Sequence, residues 1–248
     1  MVDSAPSSSL VFRGELLSKA GFRHGFSKSA NGADFALGRD KKALERDILA
    51  LAHEVGFDAG RLFQVKQVHG TTTHLAEGDP AEVVTREGDA VLARDVGAVA
   101  GVRVADCVPI LVASEATGAC AAIHAGWRGV EQGIVGVALG LLGGTDRIAA
   151  IGPCIGPCCF EVSSEVASRI ADAVADPTVV ASRYGEGKAK VDLRRAVRAQ
   201  LRASGLSDSR IEDVGGCSMC GGRDYHSFRR DGDASGRMLA VIVARSFG

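Results

Sequence analysis

Three short segments each place a metal-ligating or nucleophilic side chain at the end of an apolar run. His69 follows the run 62–65, Cys107 lies between two apolar runs, and His124 ends another run in the stretch AIHAGWRG. Imidazole nitrogens and a thiolate are ligands that zinc prefers, and three protein ligands leave a fourth position open for water or substrate. The residue types therefore allow a His/Cys/His metal site, although ligands from distant parts of a sequence have no diagnostic spacing.

The same residues allow two other interpretations. Cys107 can be a nucleophile, with one of the histidines as its base and Asp106 as the group that orients the base. In the plainer interpretation, His69 and His124 are satisfied polar groups beside glycine turns, and Cys107 is a small buried side chain. At the level of residue types, all three interpretations stay open.

Two further segments concentrate cysteines. The segment 152–161 (GPCIGPCCFE) is stiffened by glycine and proline, and the segment 217–220 (CSMC) has the spacing of a zinc knuckle or a redox motif. One hypothesis is a structural zinc bound by Cys154, Cys158, Cys217 and Cys220. The glycine and proline content of the segment 152–161 favours a second hypothesis, in which this segment forms a rigid wall of the site. The roles of five cysteines stay open: Cys154, Cys158, Cys159, Cys217 and Cys220.

Arginines lie beside aromatic residues near the C-terminus, in the segment 223–232 (RDYHSFRRDG) and at Arg237. A guanidinium group matches a phosphate with two hydrogen bonds, so this segment is typical of an anion or phosphate clamp. The alternative is a solvated hairpin.

Four stretches with helical periodicity must position these segments. They begin near Asp40, Trp127, Ser163 and Asp192, and three of them end at glycines, namely Gly56, Gly143 and Gly205. Aspartate and serine at the start and glycine at the end are typical helix boundaries. The periodicity predicts helices that each pack one face on a core.

Seven short runs rich in valine, isoleucine and alanine predict strands at 89–93, 98–105, 109–113, 119–123, 147–151, 188–192 and 238–244. Several runs are apolar on both faces, as expected of covered strands. In the middle of the chain, strands follow one another without helices between them. This order favours mixed sheets with helices packed outside, hence an α+β protein. We predict one domain over 10–248 after a disordered tail over 1–9.

Composition excludes several function classes. The 248 residues carry 29 basic and 30 acidic side chains, which argues against a broad electrostatic grip on nucleic acid or on a membrane surface. The start of the chain does not have the pattern of a secretory signal, and no apolar run is long enough to span a membrane. We therefore expect a cytoplasmic protein whose 7 cysteines are thiols or ligands and not a disulfide framework.

Six motifs together resemble, in sequence and order, the widespread bacterial YfiH family, which also includes the human laccase domain-containing 1 protein. They are 25–27 (GFS), 67–70 (QVHG), 105–110 (ADCVPI), 124–129 (HAGWRG), 152–162 (GPCIGPCCFEV) and 225–232 (YHSFRRDG). The resemblance covers nearly the whole chain after the tail. It implies a zinc site on His69, Cys107 and His124. It also implies two sheets between helical layers, an α/β/β/α fold likened to cysteine hydrolases.

The resemblance also implies an activity. It points to a purine nucleoside phosphorylase that cleaves adenosine, inosine, guanosine or methylthioadenosine with phosphate and can deaminate adenosine. Two other implied functions conflict with this one. They are copper-dependent polyphenol oxidation of the laccase type, and editing of a peptidoglycan precursor by a cysteine hydrolase.

The implied chemistry assigns further roles. Zinc on the three ligands would lower the pKa of a bound water to about 7, so that hydroxide can attack purine C6. We assign Cys107 as ligand or nucleophile, Asp106 to proton transfer, and Arg128, Arg229 and Arg230 to the phosphate. Trp127 is predicted to pack under the turn.

Overall fold

The computed structural model describes residues 9–29, 32–185 and 187–246. Within these ranges, fourteen strands form three sheets, and eight α-helices surround them. The strands are β1 Val11–Phe12, β2 His24–Ser27, β3 Leu62–Phe63, β4 Thr73–Leu75, β5 Ala90–Ala93, β6 Val99–Val104, β7 Val108–Ser114, β8 Cys120–Ala125, β9 Arg147–Ile151, β10 Glu161–Ser163, β11 Val180–Tyr184, β12 Lys188–Val191, β13 Ile211–Asp213 and β14 Met238–Val243. The helices are α1 Glu15–Lys19, α2 Lys41–Val55, α3 Pro80–Val83, α4 Trp127–Glu131, α5 Ile134–Leu142, α6 Ser164–Ala173, α7 Leu193–Ala203 and α8 Phe228–Asp231.

Two large sheets contain most of the strands. One has the order β1-β2-β14-β6-β3 and the other the order β13-β9-β7-β8-β5-β4. Most neighbours are antiparallel, whereas β3 with β6, β4 with β5 and β13 with β9 are parallel. A small sheet, β10-β12-β11, extends beside them. The prediction of an α+β protein with mixed sheets is therefore confirmed.

The layers follow from alternation along the strands. On β14, Ala240 and Ile242 face the second large sheet, while Leu239 and Val241 pack toward α2. The other face of the second large sheet is covered by α5, α6 and α7, whose buried side chains include Ile134. The molecule therefore has four layers: α2, the two large sheets, and the helices α5, α6 and α7. This order matches the α/β/β/α arrangement that the resemblance implies.

Polar side chains begin three of the predicted helices. Asp40 accepts a hydrogen bond from the Ala43 amide at 2.9 Å, and Asp192 accepts one from the Arg195 amide at 2.9 Å. Ser163 caps α6 in the same way. These caps satisfy amides that have no partner within the helix. No helix within the described ranges is both long and apolar enough to cross a membrane.

The helix predicted to run from Trp127 to Gly143 is wrong in one respect, because the structure divides it into α4 and α5. Gly133 lies between them with φ +80°, a left-handed conformation that glycine adopts at little cost. The seven predicted strands are all present, with ends that differ by a residue or two. The predicted disordered tail lies outside the described residues except for Ser9, whose hydroxyl donates to Glu54.

Candidate active site

The two large sheets bring three predicted ligands together. His69 lies in the loop after β3, Cys107 lies in the short connection from β6 to β7, and His124 lies near the end of β8. One ligand atom from each side chain lies within 4.8 Å of the others. The imidazole rings have centroids 4.9 Å apart and cross at 75°. The residues expected from three separate parts of the sequence thus form one cluster.

A buried carboxylate, Asp89, positions this cluster. One of its oxygens accepts from the His69 amide at 2.9 Å and lies 2.8 Å from His124 Nδ1, while the other accepts from the Gly70 amide at 2.7 Å. The backbone of His69 has φ +63°, which is uncommon for a residue other than glycine. Asp89 therefore holds both the His69 loop and the ring of His124.

The cluster fits a metal ion by the chemistry of its donors. Because Nδ1 of His124 faces Asp89, its Nε2 is the nitrogen left for a metal, an arrangement common among histidine ligands. His69 is exposed, Cys107 is half-buried and His124 is buried, so the group is reached from one side. Two imidazoles and one thiolate suit zinc, and copper also accepts both ligand types.

Charges within the cluster favour the thiolate of Cys107. Burial by itself would raise the pKa of the thiol, but the His124 and His69 rings outweigh burial and lower the pKa of Cys107. Burial likewise opposes the charged form of His124, whereas the Cys107 thiolate and Asp89 raise the pKa of that ring. A thiolate is the form that binds a metal or acts as a nucleophile.

The cluster opens into a cavity of about 710 Å³, which falls within the range of small-molecule sites. Cationic and apolar side chains share its wall: the Arg229 guanidinium lies 5.7 Å from the ring centre of Phe160, and that of Arg237 lies 5.8 Å from the ring centre of Phe228. The cationic side chains are those of Lys66, Arg103, Arg229 and Arg237, and the large apolar ones are those of Leu37, Ile155, Phe160 and Phe228. Leu37 and Phe228 are exposed at the opening.

Of the predicted catalytic and phosphate-binding residues, Cys107, Asp106 and Arg229 lie in the cavity wall. Both carboxylate oxygens of Asp106 are engaged, one by the Ser218 hydroxyl and one by the Arg229 amide, each at 2.6 Å. Asp106 itself has φ +87°. The structure thus shows Asp106 holding two loops, and its role in proton transfer stays a prediction.

The structure does not bring Arg128 or Arg230 to the cavity. Arg128 is exposed on α4, with its guanidinium group 4.5 Å from the ring centre of Trp127. Arg230 donates to the backbone oxygens of Ser218 and Tyr225 and pairs with Asp231. Trp127 packs against the core, as predicted. Arg229 is the member of the predicted phosphate clamp that lines the cavity.

The hypothesis of a zinc ligand at Cys154 is wrong. The sulfur of Cys154 is buried and lies 3.7 Å from an Arg194 nitrogen. Cys159 stands in its place, so the sulfurs that meet are those of Cys158, Cys159, Cys217 and Cys220. Gly156 and Pro157 turn the chain between Cys154 and Cys158, so the side chains of these two cysteines point in different directions.

Sequence reasoning missed three residues of the site, although each leaves a signal. Asp89 is an acid that directly precedes an apolar run, and Arg103 is a charge within another run. Arg103 is buried and donates to Gln64 and to the carbonyl of Val65. Arg237 belongs to the C-terminal arginines typical of an anion clamp, but it is not one of the three residues assigned to phosphate. A charge at the edge of an apolar run or inside it is the pattern that marks Asp89 and Arg103.

A His/Cys/His cluster that opens into a cavity lined by arginines and aromatic rings, on paired mixed sheets, is a site of enzyme type. The chain belongs to the family described as multi-copper polyphenol oxidoreductase laccase, whose model matches residues 17–245. This match and the relatives below confirm the resemblance to the YfiH family.

Two relatives and one solved structure show how close the similarity is. The chain is 36% identical over 210 residues to "Adenosine deaminase RL5" from an unknown prokaryotic organism, covering 79% of this chain and 80% of the relative. It is 33% identical over 208 residues to a purine nucleoside phosphorylase of Deinococcus radiodurans, covering 82% and 78%. The crystal structure of the hypothetical protein YfiH of Bacillus licheniformis superposes with a TM-score of 0.87 at 21% identity, covering 96% and 98%, and indicates the shared fold.

Proposed function

We propose that this protein is a zinc-dependent purine nucleoside phosphorylase that also deaminates adenosine and cleaves methylthioadenosine. The observation that carries the proposal is one cavity that joins the His/Cys/His cluster to arginine and aromatic side chains. The names of the two relatives, an adenosine deaminase and a purine nucleoside phosphorylase, support the same substrate class.

The apolar side chains of the cavity wall suit a purine base. Phe228 and Leu37 are exposed in this wall, and Phe160 lines it with a largely buried ring. Aromatic rings prefer stacked or edge-to-face contacts, so a flat heterocycle gains both burial and ring contacts there. The methylthio group of methylthioadenosine is apolar and suits the same surface.

The arginines of the cavity wall suit phosphate. Arg229 is fixed by three contacts: its amide donates to Asp106, its guanidinium donates to the Glu161 carbonyl at 3.1 Å, and it lies 5.7 Å from the Phe160 ring centre. Arg237 lines the same cavity. Guanidinium groups bind phosphate through paired hydrogen bonds. In phosphorolysis a phosphate oxygen bonds to ribose C1′ as the bond to the purine nitrogen breaks, which yields ribose 1-phosphate and the free base.

We assign His69, Cys107 and His124 to the zinc ion. Zinc supplies Lewis-acid chemistry and lowers the pKa of a bound water. Asp89 orients the ring of His124 and the loop of His69 toward this position. In the proposal Asp106 is a positioning residue, because its two oxygens hold Ser218 and the amide of Arg229.

Replacement of His124 tests the proposal. We expect His124→Ala to lose the zinc of this cluster and the turnover of adenosine, since the cluster retains two of its three ligands. The measurements are elemental analysis of the purified protein and chromatography of the products formed with and without phosphate. Adenine that requires phosphate reports phosphorolysis, whereas inosine formed without phosphate reports deamination.

The control variant is His53→Ala, which removes an exposed histidine on α2 that does not line the cavity. We expect it to retain both zinc and activity. Full adenosine turnover by a His124→Ala protein that has lost the zinc of this cluster would contradict the proposal. Copper in place of zinc in the active wild-type protein would contradict the choice of metal.

One observation favours a second function, that of a cysteine hydrolase. Cys107 lies beside His124, and His124 contacts Asp89, which is the order of nucleophile, base and orienting carboxylate. In that case, the protein freed of metal should form a covalent adduct on Cys107 with an acyl substrate such as a peptidoglycan precursor. Mass spectrometry of the protein with the substrate, with Cys107→Ser as control, separates the two functions.

A further inference from the structure

A second group of sulfurs lies apart from the His/Cys/His cluster. Cys158 and Cys159 lie in the loop between β9 and β10, while Cys217 and Cys220 lie in the loop between β13 and α8. The four sulfurs all lie within 4.8 Å of one another, and those of Cys158 and Cys220 are 3.5 Å apart. All four are free thiols. Two loops distant in sequence therefore meet at a compact set of four soft ligands.

The spacing of these sulfurs matches a tetrahedral metal site. Four sulfurs around a zinc ion, at Zn–S distances of about 2.3 Å, lie roughly 3.8 Å from one another. Cys217 and Cys220 have the Cys-x-x-Cys spacing that is common in structural zinc sites. Cys158 and Cys220 are exposed, which leaves a route for an ion to enter.

Backbone amides surround one of the sulfurs. The amide of Gly156 donates to Cys217 Sγ at 3.2 Å, and the amides of Met219 and Cys220 also face this sulfur. Amide donors of this kind stabilise a thiolate and orient it toward a metal. Next to them, the Ser218 amide donates to the Cys154 carbonyl at 2.9 Å and fixes the two loops together.

Cations lie close to the group. Lys190 donates to the carbonyl of Cys158 at 2.8 Å, and Arg230 donates to the carbonyls of Ser218 and Met219 at 3.2 and 3.3 Å. Four thiolates and a divalent ion leave a negative net charge, which nearby cations offset. This environment gives Arg230 a role away from the cavity.

We propose that Cys158, Cys159, Cys217 and Cys220 bind a structural zinc ion in a closed four-sulfur site. This site joins the loop that contains Phe160 to the loop that leads into α8, which carries Arg229, so it holds that part of the cavity wall in place. Four protein ligands leave no open position, which distinguishes this ion from one bound by the His/Cys/His cluster. The proposal does not depend on the proposed enzymatic activity.

Metal counting in two backgrounds tests the proposal, with the full chain purified under reducing conditions. We expect two zinc ions per chain in the wild type, one in His124→Ala and one in a Cys158→Ser/Cys220→Ser variant. Combining all three substitutions should leave none. Both serine substitutions lie at exposed positions, and Cys154→Ala serves as the control that keeps the four-sulfur site intact.

Cobalt(II) gives a second readout that does not require disrupting the site. In His124→Ala reconstituted with cobalt, we expect an intense thiolate-to-cobalt charge-transfer band and strong visible bands of a tetrahedral complex. Cys220→His should keep one bound ion and shift these bands, because one sulfur becomes nitrogen. A His124→Ala protein that binds neither zinc nor cobalt, or that contains a disulfide among these cysteines after reduction, would overturn the proposal.

Discussion

A single carboxylate connects the two histidines of the candidate active site. Asp89 is fully buried and contacts the amides of His69 and Gly70 as well as the ring of His124. Burial by itself would raise its pKa, but the His124 ring and the surrounding amides outweigh burial and lower the pKa of Asp89. The carboxylate is therefore charged near neutral pH and accepts hydrogen bonds from the amides of His69 and Gly70 and from the ring of His124.

Asp89→Asn tests this role at the scale of one residue. The substitution replaces one carboxylate oxygen by an NH2 group, which cannot accept a hydrogen bond from the backbone N–H groups that it faces. We expect metal affinity to fall about 10- to 100-fold, the usual cost of removing an outer partner of a histidine ligand. Competition with a chromogenic chelator measures the affinity.

The matched control for that variant is Asp95→Asn, an exposed aspartate just past the other end of β5. It removes the same charge without touching the cluster, so its metal affinity should equal that of the wild type. A folded Asp89→Asn protein with unchanged affinity would show that Asp89 does not orient the ligands.

At the scale of elements, the start of α4 approaches the cluster closely. A Cβ atom on Gly126 would lie 2.7 Å from Cδ2 of His69 and 3.2 Å from Sγ of Cys107. Gly126 itself has φ −73°, so the requirement is for space and not for an unusual conformation. Glycine here lets the end of β8 and the start of α4 pass beside two ligands.

We therefore expect Gly126→Ala to displace the ring of His69. Metal affinity should fall by about 10- to 100-fold, because a displaced ligand costs at least as much as a lost outer partner. Chelator competition and adenosine turnover measure the loss. Wild-type metal affinity in Gly126→Ala would contradict the close approach.

Gly140→Ala is the control, because a Cβ atom there meets nothing within 4 Å and the position is exposed on α5. Alanine stabilises a helix interior by about 0.5–1 kcal/mol relative to glycine. This variant should thus unfold at a slightly higher temperature and keep its metal.

The elements that could be predicted from sequence are those with strong local signals. Asp40 and Asp192 marked helix starts because their side chains cap the helices, and the apolar runs marked the covered strands. Strands of two or three residues, such as Val11–Phe12, are too short for alternation to appear. They form only because neighbouring strands offer free backbone groups.

The same distinction holds for the two clusters. Motif order predicted His69, Cys107 and His124, since each motif carries its ligand at a strand end. Periodicity says nothing about Asp89, because its contacts come from a loop and a strand distant in sequence. The choice of Cys159 over Cys154 depends on how one loop turns, which residue types alone do not specify.

At the scale of the molecule, small side chains let the two large sheets pack closely. The layer between them contains many alanines, including Ala100 on β6, Ala122 on β8 and Ala240 on β14. Cys107 directly precedes β7 and His124 lies on the neighbouring strand β8 of the same sheet, whereas His69 follows β3 of the other sheet. The spacing of the sheets therefore bears on the position of His69 relative to the other two ligands.

Ala122→Leu tests that packing. Ala122 is fully buried and pairs with Leu111 and Val91 on the neighbouring strands, so a larger side chain must push against the facing sheet. Overpacking of this kind costs about 1–3 kcal/mol of the free energy of unfolding. Val137→Leu, on the exposed face of α5, should stay within roughly 0.5 kcal/mol of the wild type. Urea unfolding measures both at one fixed zinc concentration, because metal bound to the folded state adds to its stability. Equal unfolding midpoints for Ala122→Leu and Val137→Leu would mean that the facing sheet moves away at no cost in stability. The position of His69 relative to Cys107 and His124 would then be set by the loops and not by the packing of the sheets.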